Sequence, residues 1–519
     1  ARLPGGTGSG TRINNPQPAL TVGDTATGNI LGALDYQFSN YRVQASNRVA
    51  DVITGSAAPG SPVANLRDPQ PWEGRISSFN VENLFDCVDA PGKSDDHPTC
   101  SAAALAALET QLAKLADAFE RELEKPELVI IEETENTAVL TGDESGFVPG
   151  TTLQALLPRV SGNWDAVSFD ASDERGIEVA FAFNTDRVTL HDAYRATDVL
   201  PDGGLFSGSA TIRAGREPLV GEFTLDDVDV TVIGNHLKSK GGPQFGLDIE
   251  AGDDPLYGAF QPPVRWTEVQ LRHAQADYVR DLVDHLLASD PDARILVGGD
   301  LNDFHFGEPG EGQHTVARIT DSPTAPLTNV VPLIPEDQRY TFIFEGNSQV
   351  LDHLLLNAPM EALRRDQAIG HFNTDYPDAF GPNAATTVRS SDHDPLVAFF
   401  CTDLTPPSLS ASVDQATLWP PNHKYQTVRA SLSASDNRDP NPSVELVSVT
   451  SSEADAGLGD DDIANDIVIV DASTFKLRAE RFGAAGRTYT ITYRATDACG
   501  NETMQTATVL VSHDQALRG

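Results

Sequence analysis

Basic residues are what this 519-residue chain lacks most: seven lysines and 29 arginines face 76 acidic side chains, for a formal net charge of −40. An acidic surface repels polyanions at long range, so tight nonspecific binding of nucleic acid is not the default expectation. A solvated acidic surface suited to salty or calcium-containing water is the plain alternative. Cysteine is also scarce, with four in all and no Cys-x-x-Cys pair, which argues against a structural zinc site. No apolar run approaches the ~20 residues that cross a bilayer, so a soluble chain without a transmembrane segment is expected. The sequence begins at Ala1 with neither an initiator Met nor a signal-type segment, and a removed leader and a trimmed chain both fit.

A chain of this length calls for two or three domains. Residues 1–70 are rich in Gly, Asn, Pro and Thr, with strand-like pieces at Ile30–Leu34 and Tyr41–Gln44, and read as a small β-rich segment. Residues 71–402 alternate strand and helix patterns. Arg75–Phe79 reads as a strand, and Leu105, Leu108, Leu112, Leu115, Phe119 and Leu123 form a helical stripe after Ser101. Pro126 stops that helix. Strands follow at Leu128–Ile131, Ile177–Phe183, Val228–Gly234, Arg294–Gly298, Val350–Leu356 and Leu396–Phe400, with a second helix at Val264–Ala288. This alternation predicts a layered α/β domain.

After Asp403-Leu-Thr-Pro-Pro407 the pattern becomes all strand: Val444–Thr450, Ile467–Val470, Thr488–Tyr493 and Thr506–Val511 predict a β-sandwich of immunoglobulin-like size over 403–519. Pro420-Pro-Asn-His-Lys424 and Asp497-Ala-Cys-Gly-Asn501 read as turns, and Gly459-Asp-Asp-Asp462 as a solvated loop. The last 117 residues carry 16 acidic and 9 basic side chains, so most of the negative charge lies before them. Disulfides Cys87–Cys100 and Cys401–Cys499 would suit an exported protein, and four unpaired buried cysteines are the alternative.

Residues that carry hydrolytic chemistry cluster at strand ends. The segments are Ser78-Phe-Asn80-Val-Glu82-Asn83, Ile131-Glu-Glu133-Thr-Glu135-Asn136, Asp173-Glu-Arg175-Gly-Ile-Glu178, Asn235-His236-Leu-Lys238-Ser-Lys240, Gly299-Asp300-Leu-Asn302-Asp303 and Ser391-Asp392-His393-Asp394-Pro395. Singly, each is matched by the ordinary use of Asp, Asn and His in caps and turns, and Glu132-Glu133 reads as solvated charge. Asp352, inside the apolar run Val350–Leu356, is different, because a charge there must be paired.

In this order the segments resemble the endonuclease/exonuclease/phosphatase superfamily, over about 75–402. Asn235-His236-Leu-Lys238-Ser-Lys240, Phe79-Asn80-Val and Tyr340-Thr-Phe-Ile-Phe344 with Leu351-Asp352-His353 are most similar to its secreted bacterial nuclease branch, as is Asp35-Tyr36-Gln-Phe38-Ser-Asn40-Tyr41-Arg42. The resemblance implies a four-layer α/β sandwich, two mostly antiparallel sheets flanked by helices, with the site at one rim and the all-β sandwich appended.

It also implies roles. Asn80, Glu133 and Asp392 would hold a divalent metal, with Glu82 a further carboxylate; oxygen ligands favour Mg²⁺, Mn²⁺ or Ca²⁺. Asp300 and Asn302 would orient or activate water and hold a phosphate oxygen. His393 would hydrogen-bond the phosphate with Asp352 fixing its tautomer, and His236 would face it. Arg175 and Lys238 would contact substrate phosphate, with Lys240 beside them. The expected function is a secreted (extracellular or periplasmic), monomeric, metal-dependent phosphoester hydrolase acting on nucleic acid. A phosphatase or phosphodiesterase for small molecules or phospholipid head groups is the alternative, favoured by the acidic charge. A binding or adhesion protein with a degenerate enzyme domain, attaching to a surface or polymer through its terminal sandwich, is the reading from another class.

Overall fold

The computed structural model describes residues 66–86, 101–135, 151–169, 176–203, 205–206, 216–240, 268–307, 313–344, 347–376, 378–456, 458, 461–482 and 486–512, and the strands Thr25–Ala26, Gly32–Gln37, Asn40–Ala45 and Ile53–Thr54. The chain divides into two compact units, one containing Gly74–Cys401 and the other joining Gln70–Glu73 to the residues from Thr402 onward. Among the described residues, no helix is long and apolar enough to cross a membrane.

The first unit holds two six-stranded sheets. Its strands are β1 (Glu73–Leu84), β2 (Leu128–Glu135), β3 (Trp164–Ser168), β4 (Ile177–Asn184), β5 (Val188–Arg195), β6 (Leu219–Leu225), β7 (Val228–His236), β8 (Ile295–Asp300), β9 (Thr328–Asn329), β10 (Asp352–Leu356), β11 (Arg364–Ile369) and β12 (Leu396–Cys401). One sheet runs β11-β12-β1-β2-β4-β3 and the other β9-β10-β8-β7-β6-β5. Each contains a parallel pair, β1 with β2 and β7 with β8. A long helix lies between the members of each pair in sequence: α1 (Ala102–Asp117) and α2 (Glu268–Ser289). The parallel arrangement requires such a crossover, whereas antiparallel neighbours such as β6 and β7 need only a short turn.

The side-chain alternation of these strands creates the layers. Ile130, Val232, Leu296 and Leu354 share one buried cluster drawn from both sheets. Their neighbours point the other way: Val129 and Ile131 pack with Leu115 and Phe119 near α1, and Ile233, Val297 and Leu355 pack with Val279 and Leu282 of α2. Strands buried on both faces read as continuous apolar runs, which is why Leu128–Ile131 and Ile295–Val297 show no alternation in sequence. Each such side chain contributes roughly 1.5–3 kcal/mol on burial. Ser101 caps α1, its hydroxyl accepting from the Ala104 amide at 3.1 Å. The predicted stripe begins one turn late, since Leu105 is exposed, and the end of the helix widens into a π turn at Ala118–Glu122.

The second unit is all β. Ser408–Val413, Tyr425–Ser435, Thr474–Arg478 and Ile467–Ile469 make one four-stranded sheet; Thr417–Leu418, Glu502–Val511, Arg487–Thr496 and Ser443–Ser451 make another. Val428, Phe475 and Leu477 of the first share a core with Tyr489, Ile491, Tyr493 and Val509 of the second. Cys401 and Cys499 are both disulfide-bonded, while Cys87 and Cys100 lie outside the described residues.

Candidate active site

The register of the sheets brings five of the chemical segments to one rim. His236 at the end of β7 pairs with Asp300 at the end of β8, and Asp300 pairs with Asp352 at the start of β10. In the other sheet, Asn80 on β1 pairs with Glu132 on β2. Gly299 is what lets β7 and β8 close up just before Asp300: its φ is +131°, and a Cβ there would lie 1.9 Å from the Asn235 carbonyl oxygen.

A bulge re-aims the acids of β2. Its pairing with β4 slips between Glu132 and Thr134, and Glu133 adopts a left-handed φ of +64°. Glu82 and Asn83 on the facing stretch of β1 are left-handed as well. The Asn83 amide donates to Glu133 Oε2 at 3.0 Å, and Glu133 Oε1 lies 3.7 Å from His236 Nε2. Glu132 is fully buried, accepting from the Ser78 hydroxyl at 3.0 Å with its second oxygen unbonded. Burial, with the charges of Asp352 and Asp300, holds Glu132 well above the usual carboxylate range. The expectation of solvated charge at Glu132-Glu133 is therefore corrected.

Asp300 Oδ2 is the point of convergence. Asn80 Nδ2 donates to it at 3.3 Å, and the Nε2 atoms of His236 and His393 stand 3.6 and 3.9 Å away. Its other oxygen accepts from the Asn302 amide at 2.8 Å, where Asn302 turns through a left-handed φ of +52°. The Asn302 side chain donates to the Leu237 carbonyl, so it is fixed from both sides. Burial and Asp352 push Asp300 up to about 7, against the opposing influence of His393 and the Asn302 amide. His393 Nδ1 donates to Asp352 Oδ2 at 2.8 Å, leaving Nε2 to face the site. Burial disfavours the charged ring, but Asp352 and Asp300 outweigh it and hold His393 well above the usual imidazole range. The Phe342 ring leans against His393 with centroids 4.8 Å apart.

Glu82 and Asp392 stand beside this group. Burial, then Asp392, raises Glu82 to about 7, with Asp378 and Glu133 adding and Arg389 opposing. Asn80 Oδ1 accepts from the Glu82 amide at 3.1 Å, and the Ser391 hydroxyl binds the Asn80 carbonyl at 2.6 Å. A carboxyl raised by the carboxylates around it, together with the unbonded buried oxygen of Asp352, fits a hard cation. Among the described residues, Asp300, Asp352 and His393 bring one ligand-type atom each within 4.8 Å of one another. There the Asp352–His393 hydrogen bond already uses one carboxylate oxygen, which suits proton handling better than ligation.

The structure thus brings together Asn80, Glu82, Glu133, His236, Asp300, Asn302, Asp352, Asp392 and His393. Arg175 lies outside the described residues. Lys238 is half-buried, its amide donating to Gln275 and its carbonyl accepting from Arg272. Lys240 is ion-paired to Asp303 at 2.6 Å and sits over the Phe304 ring. Sequence reasoning missed Glu132, Ser78, Asn235 and Phe342. Asn235 is fully buried with its Oδ1 unbonded, and only its place beside His236 signalled it.

Residues 75–246 match a family described as the Endonuclease/Exonuclease/phosphatase family. No curated protein matches the chain. Among solved structures it is similar to truncated Caenorhabditis elegans TDP2 (12% identity, 64% of this chain and 100% of that one, TM-score 0.38). It is similar also to an endonuclease/exonuclease/phosphatase from Bacteroides vulgatus (12%, 63% and 98%, 0.39). The human Nocturnin catalytic domain with bound sulfate gives 14%, 64% and 96%, and 0.37. The family match lies within the first unit and spans the strands β1 to β7.

Proposed function

We propose that the first unit is a divalent-metal-dependent hydrolase that cuts phosphodiester bonds of nucleic acid. The observation that carries the reading is the meeting of two imidazole Nε2 atoms and the Asn80 amide around Asp300 Oδ2. Hydrogen-bond donors that converge on one oxygen can equally hold a phosphoryl oxygen and stabilise the charge that builds on it. Asp352 orients His393 so that Nε2 meets the substrate, and His236 faces the same point. Asp300, with an affinity for protons near neutrality, accepts the proton of the attacking water. Glu82, Glu133 and Asp392, with Asn80, would hold the metal, which neutralises phosphoryl charge when bound.

The resemblance of Asn235–Lys240 to secreted nucleases favours a nucleic-acid substrate, with Lys238 offering phosphate contact. Disulfide-bonded Cys401 and Cys499 support export, since such bonds persist in oxidising compartments. One observation favours the smaller-substrate reading: Lys240 is committed to Asp303 and Phe304, which removes a cation from the prospective nucleic-acid track. The test is a parallel assay of supercoiled plasmid and chromogenic phosphate mono- and diesters with Mg²⁺, Mn²⁺ or Ca²⁺. Nicking of plasmid supports the nuclease; turnover of small esters with intact plasmid replaces it with the second reading.

A further inference from the structure

Away from the catalytic rim, the all-β unit gathers three aspartates from separate loops at one end. Asp403 stands where the chain enters the unit. Asp436 lies in the turn between the strands Tyr425–Ser435 and Ser443–Ser451, and Asp497 in the turn between Arg487–Thr496 and Glu502–Val511. One carboxylate oxygen of each lies within 4.8 Å of the others. Three anions this close repel one another strongly unless something positive stands between them. Among the described residues, no basic side chain is ion-paired to any of the three.

The backbone organises the cluster and leaves particular oxygens over. Asp403 Oδ1 accepts from the Thr405 amide at 3.0 Å, and Asp436 Oδ1 accepts from the amides of Arg438 and Asp439 at 2.9 and 2.8 Å. Asp403 Oδ2 and Asp436 Oδ2 accept from no amide, hydroxyl or basic side chain among the described residues and face each other, close enough to share a proton. Asp403 is 1% exposed, so water does not satisfy its second oxygen. A buried carboxylate oxygen left without a donor carries its full desolvation cost, and this unit spends donors freely elsewhere. Asn501 ties the loops together, its side-chain amide donating to the Asp403 carbonyl at 2.9 Å and to Asp497 Oδ2 at 2.8 Å.

We propose that Asp403, Asp436 and Asp497 form a structural site for a hard divalent cation, Ca²⁺ by its chemistry, distinct from the metal of the catalytic rim. The donor set is oxygen only, comes from three loops, and leaves room for water in the remaining positions, which Ca²⁺ accepts more readily than Mg²⁺ does. The ion would fasten the entry of the chain to two turns of the unit, so its effect is on stability rather than on turnover.

The full chain, stripped with chelator, is titrated with Ca²⁺ by calorimetry and melted with and without the ion. Asp436→Asn is expected to bind one Ca²⁺ fewer than the wild type and to lose the Ca²⁺-induced rise in Tm. In chelator it should melt at or above the wild-type temperature, because a like charge has been removed, and its phosphoester turnover should be unchanged. A companion protein with Glu133→Gln and Asp392→Asn, lacking carboxylates of the rim, should still bind one Ca²⁺. Equal stoichiometry and equal Tm shifts in wild type and Asp436→Asn would overturn the proposal, as would no binding by the companion. A wild type that stabilises as pH falls and ignores Ca²⁺ would instead show a proton shared between Asp403 and Asp436, which also overturns it.

Discussion

The core beneath Arg487 in the all-β unit and the rim of the first unit treat their buried acids in opposite ways. In the all-β unit, Asp466 and Glu453 are met by Arg487, which is completely buried, and Arg478 stands beside Asp466 and Glu480. Charge is cancelled on the spot by a guanidinium fork. At the rim of the first unit, Glu132, Asp300 and Asp352 are buried without a single lysine or arginine ion pair among the described residues, and histidines take that place. Arginine fixes a charge permanently, whereas histidine leaves protons free to move at neutral pH. The contrast separates architecture from chemistry within one chain: the first pattern stabilises a fold, and the second keeps groups poised to act.

The comparison breaks first at His393. His393→Ala is expected to leave the fold intact, by unchanged circular dichroism, while cutting phosphoester turnover by ~10²–10⁴-fold. Turnover within a few-fold of wild type would remove the rim from the chemistry. Arg487→Met should behave in the reverse manner. It removes the buried guanidinium that meets both Asp466 and Glu453 and should destabilise the all-β unit by roughly 3–5 kcal/mol, seen as an early melting transition, with turnover unchanged at low temperature.

A third, smaller effect concerns pH. His353 is fully buried; its Nε2 donates to the Asp303 carbonyl and its Nδ1 accepts from Asn329 Nδ2, so the ring is held neutral. Burial lowers it from 6.5 to about 4. Between those values the unfolded chain binds the proton and the folded one does not. Stability is therefore full above pH ~6.5 and falls as pH drops toward 4, by at most about 3 kcal/mol. His353→Asn should flatten the dependence of Tm on pH in that window, and an unchanged slope would contradict the assignment. The smallest effect is expected at Glu132. Burial, Asp352 and Asp300 hold it well above the usual carboxylate range, so Glu132→Gln, which keeps its shape without the charge, should shift stability by less than about 1 kcal/mol and turnover by only a few-fold. A large loss of activity in that variant would show that its charge is used.

Much of the candidate site was legible because its residues break local rules. Asp352 stands in an apolar strand, and Gly298-Gly-Asp300 places two glycines where a strand should be continuous. Both oddities mark the rim. The long helices and doubly buried strands were legible from their apolar stripes and runs. Other features depended on geometry that sequence does not carry. Which of Glu132 and Glu133 faces inward is set by a bulge, and a shift of one residue exchanges faces. Val188–Arg195 and Arg364–Ile369 are edge strands with one partner each and too few apolar residues to register as strands. The Tyr425–Ser435 strand is largely exposed and stands outside the strands expected from sequence. Lys240 looked like a phosphate contact until its partner Asp303 was located in space.

The central claim is that the histidine-neutralised rim hydrolyses phosphoesters with a bound divalent metal. Its most direct test is the turnover of plasmid and small phosphoesters by the chelator-stripped chain, before and after Mg²⁺, Mn²⁺ or Ca²⁺ is returned, with Asp352→Asn measured alongside. Activity is expected to be absent without metal, restored by it in the wild type, and depressed at least about a hundredfold in Asp352→Asn. No turnover of any phosphoester with any of these metals, or full activity in Asp352→Asn, would contradict it.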